Sequence, residues 1–258
     1  MASKPILYSF YRSSCAWRVR IALALKKIEY EYRAVDIFKG QQNSEEFSKL
    51  NPLSQVPALV CNGSTVVQSM AIIGFLDDVY PKPPLYPKDP IKKAQAHALA
   101  EIINSGTQPI QNLSVLKKLC ADPEKQKEWS HYWIDKGLTA FEKMLQQTAG
   151  KYCVGDSVTI ADICLVPQML NAHRANVNLT KFPLIQRLQS LCQKWMPSKQ
   201  QTLLYSQTVQ RSYKEKEKFD SDVTEYIMLF RTVNQHLFRS NLFFFLLTAL
   251  IFRSMTLS

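Results

Sequence analysis

The chain has 258 residues, 46% hydrophobic and 21% charged, which excludes a disordered or fibrous protein and makes two packed domains the expectation. Its formal charge of +11 is spread out: residues 1–196 hold 24 Lys and Arg against 16 Asp and Glu, and residues 197–258 hold 8 against 5. With no basic block and no zinc-finger, RNP or basic-region pattern, this argues against nucleic acid and for a basic cleft that attracts a small anion.

The opening 80 residues alternate apolar runs with helical periods. Ile6 to Phe10 reads as a strand, and Cys15 to Lys27 as a helix with Cys15, Val19, Ala22 and Leu23 on one face. Tyr30 to Val35 reads as a second strand. A short helix over Glu45 to Leu50 precedes a hairpin in which Asn62-Gly63 joins Ala58–Cys61 to Thr65–Val67. Ser69 is placed to cap a helix running to Tyr80. The sum is a four-stranded mixed sheet with helices on it, an α/β domain over residues 1–81. Residues 82–90 belong to a proline-rich linker, since "PKPPLYPKDP" (81–90) cannot continue a helix.

Residues 91–196 read as an all-α domain. Helices are expected over Ile91–Leu119 with a bend near Gly106 and Pro109, Glu124–Gln147, Ile160–Asn171 and Leu184–Trp195. "VTIADI" (158–163) sets Thr159 and Asp162 at capping-box spacing, with Val158 and Ile163 placed for a hydrophobic staple. Residues 197–258 form an atypical tail. Its apolar run, "NLFFFLLTALIF" (241–252), falls short of the roughly 20 residues needed to span a bilayer and reads as a short helix seeking a surface, with membrane contact the lesser alternative.

The six cysteines (15, 61, 120, 153, 164, 192) contain no C-x-x-C pair, and the N-terminus carries no apolar h-region. Reduced thiols in a cytoplasmic compartment are therefore expected. The four histidines (97, 131, 173, 236) have no metal-ligand spacing with one another or with the cysteines, so no metal is expected.

Three stretches carry chemistry. In "RSSCAWR" (12–18), Ser13, Ser14 and Cys15 stand where a strand hands over to a helix. Free N–H groups and the helix dipole favour an anion there, and a hydroxyl can donate to a thiolate. Helix capping by Ser13 or Ser14 is the plain structural alternative. In "SQVPALV" (54–60), a proline just before the third strand of a thioredoxin-like sheet is commonly cis, which leaves the backbone of Val56 free to pair with an extended peptide; a trans proline at a strand start is the commoner case. In "VVQSMAII" (66–73), Gln68 and Ser69 at a helix N-terminus form a carboxylate socket, or simply a cap. Taken together, the three describe a site with a thiol end, a peptide-pairing middle and a carboxylate end.

These motifs, with "QPIQNLSVLK" and "YCVGDSVTIADICLVPQ", resemble the zeta class of glutathione transferases over about Pro5 to Trp195. The resemblance implies a thioredoxin-like glutathione-binding domain followed by an all-helical substrate domain, with glutathione as cofactor and a homodimer in the cytoplasm. It also implies glutathione-dependent isomerisation of maleylacetoacetate to fumarylacetoacetate in phenylalanine and tyrosine catabolism, with transferase and α-halo acid dehalogenating side activity. By motif, Ser14 stabilises the thiolate, with Ser13 and Cys15 beside it and Arg18 adding positive potential. Gln42, Val56, Gln68 and Ser69 contact glutathione, Gln108, Asn112 and Ser114 are cofactor and pocket residues, and Arg174 faces the substrate carboxylate.

The chain departs from that pattern at Gly74, where the class usually has an acidic residue, at His173, where it usually has Glu, and in the tail. Two rival readings remain: a thiol transferase or dehydroascorbate reductase with Cys15 as nucleophile, and a non-catalytic interaction protein on the same fold.

Overall fold

A computed structural model describes residues 4–195, and these fall in one compact unit. The expected tail, with its apolar run, lies outside the described residues. Four strands, β1 (Ile6–Ser9), β2 (Glu31–Ala34), β3 (Ala58–Cys61) and β4 (Ser64–Val67), form one mixed sheet in the order β2-β1-β3-β4. β1 runs parallel to β2 and antiparallel to β3, and β3 pairs antiparallel with β4. The edge strand β2 is exposed and charged, its Arg33 bonding Glu31 and the Tyr8 hydroxyl, which suits an edge that must not recruit another strand.

Register positions the site. Tyr8 lies opposite Ala58, and Ala58 opposite Val67. The exit of β1, the entry to β3 and the exit of β4 therefore share one end of the sheet. The chemistry-bearing stretches at Ser13–Cys15, Val56 and Gln68–Ser69, far apart in sequence, each adjoin that end.

Helix α1 (Ser14–Leu25) differs from the one-faced reading. Its residues from Ala16 to Leu23 are all buried, Arg18 and Arg20 included. The cause is a second cover: α1 packs on α3 (Ser69–Val79) and also on α7 (Ile160–Arg174) of the helical half. A period of 3.6 reports one buried face, whereas this helix has two. Ser69 also differs from expectation. The cap position of α3 is Gln68, with φ 70° and no side-chain capping bond, so Ser69 is the first helical residue and its hydroxyl is free for other work.

The proline-rich segment is pinned. Lys26 Nζ, withdrawn from solvent, donates to Asp77 Oδ1 (2.7 Å) and to the carbonyls of Tyr80 (2.5 Å) and Pro83 (2.9 Å). Asp77 also accepts the Leu85 N–H at 2.8 Å, and the Leu85 carbonyl accepts the first N–H of α7 at 3.1 Å. The sheet and the helices thus share one set of buried polar contacts.

In the helical half, the bend expected near Gly106 and Pro109 is a full break: α4 (Pro90–Asn104) ends there and α5 (Leu113–Leu119) starts afresh. Between them the Thr107 hydroxyl donates to the Ile102 carbonyl (2.7 Å), Gly106 and Gln108 turn their N–H groups back to Glu101 and Ile103, and Pro109 has none to give. Asn112 then caps α5. α6 (Pro123–Thr148) and α8 (Pro183–Trp195) complete the set, and no described helix is long and apolar enough to cross a membrane.

The capping box of α7 is present, and it does more than cap. Asp162 Oδ2 accepts from the Thr159 N–H (2.8 Å) and hydroxyl (3.1 Å), while Oδ1 accepts the Cys153 N–H (2.9 Å) and so ties the preceding loop to the helix. Burial pushes this carboxyl above the ordinary range, and the donors from Cys153 and Thr159 pull against it.

One close approach fixes the α4–α5 turn. A Cβ on Gly137 of α6 would stand 2.1 Å from Thr107 Oγ1, so the turn rests on bare helix backbone there. Gly137→Ala is expected to cost about 1–3 kcal/mol in denaturant unfolding through overpacking. In a Thr107→Ala background the same change should cost clearly less; strictly additive losses would refute the contact.

Candidate active site

The site begins at the corner after β1. Ser13 is the cap of α1: its Oγ accepts the Ala16 N–H at 3.2 Å and its own N–H donates to the Phe10 carbonyl at 3.0 Å. That leaves Ser14, the first helical residue, with no intrachain hydrogen-bond partner for its hydroxyl among the described residues. Ser14 is 8% exposed and opens onto a cleft of about 370 Å³. Of the two serines, Ser13 is taken up by capping and Ser14 is left without that task.

Opposite this corner, the cleft is walled by Gln108, Gln111 and Asn112 of the α4–α5 turn, by Asn171 and Arg174 of α7, and by Phe38 of the loop after β2. Among the described residues its cationic lining is Arg12, Lys127 and Arg174, and no carboxylate lines it. Arg174 closes α7, where His131 Nδ1 donates to the Ala175 carbonyl at 3.0 Å and fixes the helix end. Its Nη2 is buried with no hydrogen-bond partner. Its pKa is lowered to about 10, by burial first and by the Arg12 charge second, with Tyr11 opposing both. A guanidinium desolvated beside another cation, with a free donor, can seat an anion.

The remaining expected residues divide. Val56 precedes a cis Val56–Pro57 bond and is half-buried; Gln68 is exposed at the start of α3. Gln42 lies in a single 3₁₀ turn, Gln41–Asn43, and its Oε1 is buried without a partner. Ser69 accepts from Arg18 Nη1 at 3.2 Å. None of these four lines the main cleft, but Val56, Gln68 and Ser69 share its end of the sheet through the register of β1, β3 and β4.

Arg18, Cys15 and Ser114 stand elsewhere than expected. Arg18 has no exposed surface and donates to Ser69 and to Asn104 Oδ1 (2.6 Å), so it serves the seam beneath Ser69 instead of the serine corner. Cys15 does not line the cleft; it lies toward Cys164 of α7, a thiol that burial raises to about 11, Arg18 pulling against and Cys15 adding. The Ser114 hydroxyl donates to Asn112 Oδ1 at 3.1 Å and closes the α5 cap. His173 is exposed beside the half-buried Arg174, so its substitution for the usual acid leaves the cleft lining unchanged.

Sequence reasoning missed Arg12, Phe38, Gln111 and Lys127 as cleft residues. It also missed Gln168, fully buried on α7, whose Oε1 accepts from Gln111 Nε2 at 2.8 Å and holds that amide in place. Arg12 and Gln111 sit inside motifs already singled out. Phe38 and Lys127 carry no signal of their own, because their places are set by how the loop and α6 close around the corner.

Residues 3–78 match the glutathione S-transferase N-terminal domain family, and residues 113–195 the glutathione S-transferase C-terminal domain family. A maleylacetoacetate isomerase of Mus musculus is 53% identical over 189 residues, 72% of this chain and 87% of its own length. One of Dictyostelium discoideum is 47% identical over 191 residues, with the same two shares. A crystal structure of maleylacetoacetate isomerase from Anaeromyxobacter dehalogenans with bound GSH in the active site superposes with TM-score 0.70 at 42% identity, covering 78% of this chain and 95% of that one. The holo structure of a maleyl pyruvate isomerase of the zeta class superposes with TM-score 0.72 at 37% identity, covering 76% and 95%.

The empty Arg174 donor makes a pH-dependent forecast. A small dicarboxylate such as succinate should bind the cleft, and its affinity should fall as pH rises through about 10, where the unliganded guanidinium loses its proton. In that range binding should take up protons, read by calorimetry in buffers of different ionisation enthalpy. Arg174→Gln should abolish both effects; an unchanged pH dependence in that variant would contradict the assignment.

Proposed function

The chain belongs to the glutathione S-transferase family, and on that premise we propose that it is a glutathione-dependent maleylacetoacetate isomerase, converting the cis diacid to its trans isomer. The observation that carries the reading is that Ser14, first residue of a helix and without a side-chain hydrogen bond, and Arg174, whose Nη2 is buried without a partner, line one cleft that has no acidic lining among the described residues. Glutathione fits the remaining sockets. The Ser14 hydroxyl, the buried unpartnered Gln42 Oε1 and the helix start at Gln68–Ser69 support a tripeptide with a thiol at one end and a carboxylate at the other.

Bound there, glutathione supplies a soft thiolate that can add to an activated cis double bond, permit rotation and leave. The protein's part is to hold that sulfur ionised and the diacid still. A free thiol of pKa about 8.5 needs roughly 2.7 kcal/mol of differential stabilisation to fall about two units. A hydrogen bond from Ser14 to a charged acceptor contributes about 1.5–3 kcal/mol, and the α1 N-terminus about 0.5–1. The sum suffices. On this reading Arg174 seats one substrate carboxylate and its positive potential offsets the charge that develops on the neighbouring carbonyl oxygen. Gln108, Gln111 and Asn112 supply neutral amides along the wall, which orient without competing for the proton.

The proposal extends to displacement of halide from small α-halo acids, since the same thiolate and the same carboxylate seat are required. It includes a homodimer and a cytoplasmic setting, in keeping with the family. The rival in which Cys15 is the nucleophile has weaker support, because that thiol does not line the cleft.

Ser14→Ala is expected to lower kcat at least tenfold while glutathione still binds within a few-fold of its usual affinity, as judged by calorimetry. Cys15→Ala should keep most of its turnover. Near-normal kcat in the Ser14 variant, or loss of kcat confined to the Cys15 variant, would transfer the role.

A further inference from the structure

Arg20 is buried, 3% exposed, in the middle of α1, and no carboxylate pairs with it among the described residues. Leaving a guanidinium there unneutralised is costly, and a neutral side chain would pack the same space more cheaply. Its Nε is buried without a hydrogen-bond partner, and its bonded donors go to one place. Nη1 bonds Ser9 Oγ (2.7 Å) and the Phe10 carbonyl (3.2 Å), and Nη2 bonds the Tyr11 carbonyl (3.1 Å). These are the three residues that carry the chain from β1 into the serine corner.

The geometry of a helix explains the reach. Side chains on α1 lean toward its N-terminus, so a long side chain six residues after Ser14 runs back along the helix to the turn that precedes it. The Phe10 carbonyl that Arg20 grips is also the acceptor of the Ser13 N–H. One oxygen therefore ties the arginine to the serine cap. The flanking residues Phe10 and Arg12 line the cleft, so the clamp sets its floor as well.

We propose that Arg20 is a positioning residue for the glutathione thiolate: it locks the 9–11 turn that presents Ser14 and sets an unneutralised positive charge behind the α1 N-terminus. The inference rests on the glutathione-dependent reading above. The charge adds to the helix dipole in a region sealed from water, where screening is weak. Burial lowers the pKa of Arg20, with Tyr32 and Tyr30 opposing, which is the cost of placing an unpaired cation there.

The test titrates the thiol of glutathione bound to the whole protein, following thiolate absorbance in the ultraviolet, beside steady-state kinetics. Arg20→Met should raise the bound thiol pKa by about one unit and lower kcat at neutral pH about tenfold, with the KM for glutathione within threefold. Arg20→Lys returns the charge but not the forked grip, so it should restore most of the thiol pKa and less of kcat. If Arg20→Met does not accumulate folded, Arg20→Gln replaces it with the same expectation. A folded neutral variant with the thiol pKa of the unmodified protein overturns the proposal, as does a lysine variant whose thiol pKa matches that of the neutral one. Absence of any thiolate signal in the unmodified protein overturns the glutathione reading and this inference with it. A normal signal there, unchanged in the variants, overturns this inference alone.

Discussion

Helix α1 is covered by α3 and by α7, and the geometry of the site depends on that double burial. A helix with one wet face could swing about its long axis by rearranging surface side chains. Enclosed on both faces, α1 has its N-terminus fixed relative to the end of the sheet, and Ser14 is fixed with it. The enclosure also sets the terms for charge. Arg18 and Arg20 lie within it, where screening is weak, so their charge adds to the dipole and the Ser14 hydroxyl at the helix start.

The electrostatic plan of the cleft follows from what is absent from its lining. Arg12, Lys127 and Arg174 line it without a carboxylate to pair them, so the cleft prefers an anionic guest over its own side chains. Elsewhere in the fold, Lys26 has Asp77 and two carbonyls, and Lys181 has Asp135. Arg18 and Arg20 pair with no carboxylate, but they are buried and donate to neutral oxygens of the chain. The contrast separates buried cations, held by the chain's own oxygens, from those that line the cleft, which are left short of partners. A dicarboxylate substrate meets the second kind.

Much of this could be read from the sequence where local rules decide. The hairpin at Asn62-Gly63, the capping box at Thr159 and Asp162, and the strand-to-helix corner each carry their own signature, and all three are present. Where tertiary contact decides, the sequence misleads. The period of α1 hid its second covered face; the bend legible near Gly106 and Pro109 proved a full break, enforced by Thr107 and by the bare backbone at Gly137. Arg18 reads as a charge beside the thiolate, yet it lies under Ser69 and holds α3 against α4. Its role in the sequence depends on Asn104, 86 positions away, which no local pattern could have linked to it.

Gly74 shows how such distant partners settle an apparent anomaly. A glycine inside α3 loses about 1 kcal/mol against alanine, and at this place the zeta class usually carries an acid. In this protein the Tyr86 hydroxyl lies 3.6 Å from where a Cβ at 74 would stand. The ring of Tyr86 is stacked on His97, with Lys93 over it, and burial raises its hydroxyl to about 12, Asp77 adding to the shift. A Cβ at that distance would meet the phenol oxygen in ordinary van der Waals contact, so a longer side chain on this face would share its space with Tyr86. Gly74 thus borders an aromatic cluster contributed from the pinned linker and α4, at the same seam where Lys26 and Asp77 join the two halves of the fold.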